Sequence, residues 1–140
     1  MFKTKIATVL VLSAAAAALP ALAFAAPPDS PAHCILKQHR VTAVQPLNAP
    51  QTYGRSSTMQ LVGARVLVEA EQGLTAEWLQ LSIQRHMVQM GSSGMKNCAL
   101  DAKDVRVSVK SAGVGFAIEI TGKDATQAQE ILRRAKLLAG

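Results

Sequence analysis

His86, Met87 and Met90, followed by Met95 and Cys98, form the densest group of side chains with chemistry to offer. Imidazole, thioether and thiolate together suit a soft ion such as Cu(I). On a helix, His86 and Met90 share one face with Cβ atoms about 5–6 Å apart, and Met95 and Cys98 follow within reach of that helix end. His86, Met90, Met95 and Cys98 are therefore the candidate metal ligands, with Cu(I) as candidate cofactor. Their spacing matches no established ligand pattern. The competing reading makes Met87 and Met90 gap-filling core residues, with His86 at the margin of an apolar stripe.

The chain has two cysteines, Cys34 and Cys98. In an oxidising compartment an isolated pair is most simply a disulfide, and that bond would withdraw the Cys98 thiolate from any metal. His33 and His39 flank Cys34 and offer a second imidazole–thiol cluster, but in a proline-rich stretch with no scaffold to hold its spacing.

Enzymatic constellations are missing. A nucleophile–base pair needs an oriented histidine, and His86 has no acidic neighbour one helical turn away. Cys-x-x-Cys is absent. Gly91-Ser92-Ser93-Gly94 follows a helix, where the negative dipole end repels anions, and Asp101 and Asp104 read as solvated turn acids. Arg133, Arg134 and Lys136 crowd the end of the last helix, where Glu130 can pair with them. Trp78 is expected to pack over a sheet edge. The expectation is a non-enzymatic protein without a cofactor, with the Cu(I) site as the alternative.

Residues 1–25 have the layout of a secretory signal peptide: Lys3 and Lys5, an apolar run from Ile6 to Leu19, and the Ala23-Phe24-Ala25 cleavage pattern. Pro20 interrupts the run before it reaches the length of a membrane span. A periplasmic location with no transmembrane segment after cleavage follows as the expectation. Lys3 and Lys5 leave with the leader, so the net charge of +6 falls to +4. The remaining basic residues are scattered, and only Tyr53, Trp78 and Phe116 remain as aromatics, which argues against a nucleic-acid partner.

Residues 26–57 hold five prolines and read as an extended arm, with room for a short edge strand at Val41–Val44. The domain proper is expected over 58–140. Alternation from Leu61 to Glu71 gives a strand. Thr75 then caps a helix whose stripe is Leu79, Ile83, His86, Met87 and Met90, ending at Gly91 in a left-handed cap. Val105, Val107 and Val109, then Phe116, Ile118 and Ile120, mark two strands of a hairpin. Asp124 and Gln127 open a second helix with the stripe Ala128, Ile131, Leu132, Ala135 and Leu138.

The predicted fold is an α+β, β-α-β-β-α two-layer sandwich, a ferredoxin-like half with both helices on one face of a three- or four-stranded antiparallel sheet. Its vacant edge is open to residues 41–44 or to a second molecule. The order is similar to that of heavy-metal-associated domains in architecture alone: Glu71-Gln72-Gly73-Leu74 stands where they carry Cys-x-x-Cys, and no function is carried over. The function expected is that of a protein-interaction or dimerisation module, its partner an envelope protein or a second copy.

Overall fold

The computed structural model describes residues 33–91, 95 and 97–139. The leader expected over 1–25 lies outside the described residues. A short 3-10 turn, Ile35–Gln38, leads into β1 (Val41–Tyr53), β2 (Ser56–Glu69), α1 (Ala76–Met90), β3 (Arg106–Ala112), β4 (Gly115–Thr121) and α2 (Ala125–Lys136). The four strands form one antiparallel sheet in the order β1-β2-β4-β3. Ala64, Val66 and Val68 of β2 and Ile118 and Ile120 of β4 share one buried core with Leu79 and Ile83 of α1 and Ile131 of α2.

The α+β sandwich is as expected, four-stranded, with the vacant edge taken by the segment that contains residues 41–44. Residues 41–53, read as a proline-rich arm holding a four-residue strand, form a 13-residue edge strand that runs through Pro46 and Pro50. The strand beyond it starts at Ser56, earlier than Leu61, and ends at Glu69. With β1 in place the chain is two consecutive β-β-α units. Each hairpin closes on a two-residue turn whose first residue is a glycine with positive φ, Gly54 (62°) and Gly113 (58°), the backbone region that side-chain-bearing residues resist. Each unit then enters a capped helix. Thr75 Oγ1 accepts the Trp78 N–H and Asp124 Oδ1 accepts the Gln127 N–H, as serves otherwise unpaired N–H groups in a first turn.

The helix stripes follow the 3.6-residue period. In α1, Leu79, Ser82, Ile83, His86 and Met90 are buried, and in α2, Ala128, Ile131 and Ala135. Gly91 is right-handed, φ −53°, so α1 does not end in the expected left-handed cap. Trp78 is half exposed, at 51%, and does not close a sheet edge. That work falls to Gln80, which the helical period assigns to the polar face.

The two units are not equal. β3 and β4 have 7 residues each, whereas β1 and β2 have 13 and 14. β4 pairs with β2 only from Gly63 to Glu69, and its lane ends where the Gly122 N–H donates to the Val62 carbonyl at 2.9 Å. Beyond that point β2 keeps β1 on one side and, among the described residues, has no strand on the other. The first hairpin thus projects from the body as a two-stranded arm about 20 Å long at roughly 3.4 Å per residue.

Candidate interaction site on the first hairpin

The predicted soft-metal residues lie inside the protein. His86 is 1% exposed, and its Nε2 accepts the Ile35 N–H at 3.4 Å. Met90 is buried beside it in the core, and Met95 packs partly buried against that core. Cys98 is joined to Cys34 in a disulfide with 5.5 Å between Cα atoms, which leaves it no thiolate to offer a metal. Among the described residues no three His, Cys, Asp or Glu side chains gather in a way that could hold an ion.

The second cluster is also dispersed. His33 is exposed, Cys34 is in the disulfide, and His39 Nδ1 lies 3.4 Å from Glu71 Oε1. Cys34 fastens a piece of the core, since Ile35 and Leu36 beside it are fully buried. At the far end of the chain, Glu130 binds Arg133 and Arg134, each at 2.7 Å, and its carboxyl is held down to about 2, first by Arg133 and then by Arg134. Arg134 also donates to the Cys98 carbonyl at 3.3 Å.

The edges of the sheet differ in how they are closed. An unpaired strand edge is a template for another chain, and proteins usually blunt it. In an antiparallel ladder, opposite residues alternate between bonding each other and pointing their N–H and C=O groups away. A two-residue turn makes its flanking pair a bonded one, so Tyr53–Ser56 bonds, then Gln51–Thr58 and Ala49–Gln60. Asn48, Pro50 and Thr52 of β1 therefore face outward. In the same way the Glu69 N–H donates toward the Arg40 carbonyl, on the β1 side. Odd-numbered residues from Gly63 to Glu69 accordingly face β1, and Pro46, opposite Ala64, faces outward. Both prolines sit where the missing N–H costs no ladder bond, and both remove a donor from the outer edge.

The β3 edge is blunted differently. The Gln80 amide reaches from α1, donating to the Val107 carbonyl at 3.1 Å and accepting the Val109 N–H at 2.7 Å. A side-chain amide thus occupies the place of a neighbouring strand. Gln80→Ala is expected to lower stability by about 1 kcal/mol through these two bonds and to add concentration-dependent light scattering as the edge opens. A denaturant midpoint and a scattering series check both effects.

The remaining edge is the inner side of β2 beyond Val62. Ser57, Met59 and Leu61 point their backbone groups there, past the end of β4. No proline interrupts Ser56–Val62 and no charge lies within it. Among the described residues this is the sheet edge with neither proline nor side-chain cap. Across the whole hairpin from Val41 to Ala64, Arg55 at the turn is the single charged residue. Met59 is 67% exposed and Tyr53 58%. The side-chain network on the arm is neutral: Tyr53 donates to Gln51 Oε1 at 3.1 Å, and Gln60 Nε2 donates to the Tyr53 hydroxyl at 3.0 Å. Depletion of charge with exposed aromatic and methionine side chains is the compositional mark of an interface core.

The sheet face over the body is charged by contrast. Glu119 on β4 accepts from Lys110 at 2.7 Å and Arg65 at 2.8 Å, one partner on each neighbouring strand. Its carboxyl is held below the ordinary value of 4.5, first by Lys110 and then by Arg65, against the opposing pull of burial. A carboxyl lowered in the native state stabilises the fold above the unfolded value and loses that contribution as pH falls through the native one. Wild type is therefore expected to lose stability on acidification from about pH 5 more steeply than Glu119→Gln, a difference read from denaturant midpoints at several pH values.

Comparison with protein-family models, with curated proteins and with solved structures finds no match. No described helix is long and apolar enough to cross a membrane.

Proposed function

We propose that this chain is a non-enzymatic envelope protein that binds another polypeptide through its β1–β2 arm, by adding a strand to the free inner edge of β2. The observation that carries the reading is the stretch Ser56–Leu61, paired with β1 on one side and, among the described residues, open on the other, while the two outer edges of the sheet are blunted by Pro46 and Pro50 and by Gln80. Strand addition uses backbone bonds for affinity and alternate side chains for specificity, and the arm offers both with little charge to desolvate. The body supplies a rigid mount, stapled by Cys34–Cys98. A structural disulfide belongs with an oxidising compartment, which accords with delivery to the periplasm by the leader over 1–25.

The test is site-specific photo-crosslinking in the intact cell envelope. A photoreactive residue at Met59 is expected to give discrete protein adducts, and one at Val114, on the opposite hairpin turn and 91% exposed, is expected to give none. Trp78, Leu81 and Val88 place a second set of exposed apolar side chains on α1. Adducts from Leu81 with none from Met59 would move the interface to that helix and defeat the arm reading.

A further inference from the structure

We infer that the arm's occupant is a second copy of this chain: two arms pair antiparallel along β2, with Thr58 facing its own counterpart across a two-fold axis. The inference rests on the reading of the arm as the docking element and names its partner. A segment paired antiparallel with its own copy satisfies two-fold symmetry automatically. Because the arm overshoots β4, this pairing sets the two bodies at opposite ends of a shared ribbon, and neither obstructs the other. Ser56–Val62 is uncharged, so the two copies approach without like-charge repulsion.

The register follows from the end of β4. The lane beside Val62 is filled by Gly122, whose N–H bonds the Val62 carbonyl, so the incoming strand must stop opposite Leu61. Residues opposite one another must also lie on the same face of the pleat. With Thr58 facing Thr58, Ser57 of each copy faces Met59 of the other, and their outward N–H and C=O groups form two reciprocal pairs. A shift that set Met59 against itself would drive Ser56 of the second copy into Gly122. A shift the other way, with Ser57 against itself, leaves only one such pair.

The outer edges argue for a closed dimer. The product is a ribbon in the order β1-β2-β2-β1, and its new outer edges are the β1 strands carrying Pro46 and Pro50. Further strands find missing donors there, so assembly stops at two rather than growing into a fibre. Each copy also covers part of the exposed Met59 of the other. The contact is short beside the roughly 1,200–2,000 Å² buried in a stable interface, so the dimer is expected to form as concentration rises.

Both native cysteines are used by the Cys34–Cys98 bond, which leaves a clean background for crosslinking. In the oxidised full chain, Thr58→Cys is expected to give a disulfide-linked dimer at least tenfold faster than Gln51→Cys, its neighbour on the far side of the ladder. Sedimentation equilibrium of the unmodified chain should show reversible monomer–dimer exchange that Met59→Lys abolishes while the thermal melt of the monomer persists. A chain that stays monomeric at every concentration, with equal crosslinking at positions 51 and 58, overturns the self-pairing. In that event Met59 photo-adducts to a different envelope protein leave the docking reading intact, and their absence removes it as well.

Discussion

Breaking the Cys34–Cys98 bond is expected to lower the stability of the fold by about 4 kcal/mol, the chain-entropy value for a loop of this length. The cysteines are 64 residues apart, and the loop between them contains β1, β2 and α1. The bond also fastens a piece of core. Ile35 and Leu36 beside Cys34 are fully buried, and the Ile35 N–H reaches His86 Nε2. Freed of the tether, this segment is held by packing and by the Ile35–His86 hydrogen bond. Reduction of wild type and the paired substitution Cys34→Ser with Cys98→Ser should give the same fall in denaturant midpoint, and adding reductant to the double variant should change nothing further. Equal midpoints for oxidised and reduced wild type would show that the buried turn holds itself in place.

A comparable loss is expected from a single methyl group at either end of the β2–β4 ladder. A Cβ built on Gly63 lies 1.8 Å from the Ile120 carbonyl oxygen, and one on Gly115 lies 2.1 Å from that of Val68. Both obstacles are backbone in the central pair of strands, so neither can rotate aside, and relief means spreading the ladder that carries Ala64, Val66, Val68, Ile118 and Ile120. Gly63→Ala and Gly115→Ala are each expected to cost on the order of 3 kcal/mol, at the upper end of ordinary substitutions. The glycines occupy matching ends of the two units, Gly63 opposite Thr121 and Gly115 opposite Glu69. Their effects should therefore be similar, whereas alanine at Gly91, where the nearest atom is 3.5 Å away, is expected to change the midpoint little. Thermal or denaturant melts of the three variants decide the point.

Most of the body is legible in the sequence because its residues obey a period. Val107 and Val109, then Phe116, Ile118 and Ile120, alternate as strands must. Leu79, Ile83 and Met90, and Ala128, Ile131 and Ala135, recur as helix faces must. The arm is illegible for a physical reason: proline is read as a strand breaker, yet Pro46 and Pro50 stand at outward positions of an edge strand, where no ladder bond is lost. The overlooked signal is electrostatic, the run from Val41 to Ala64 with Arg55 as its one charge.

Gln80 and His86 escape in a related way. A helical period sorts residues by polarity. It cannot show that the Gln80 amide closes a neighbouring strand edge, nor that a backbone N–H from Ile35 satisfies an imidazole nitrogen and lets His86 sink into the core. The structure bonds Cys98 to Cys34, which removes its thiolate from the candidate metal set. That outcome was open in the sequence but depends on a Cα separation that one sequence does not contain.

The most direct test of the account is amide hydrogen exchange on dilute, monomeric protein. The N–H groups of Ser57, Met59 and Leu61, aimed at the free side of β2, are expected to exchange rapidly. That of Val109, capped by Gln80, and those of Ala49 and Gln51, bonded into the same arm, are expected to be protected. Met59 as slow as Val109 in the monomer would mean that the edge is already covered, and the arm would then have no backbone to offer a partner.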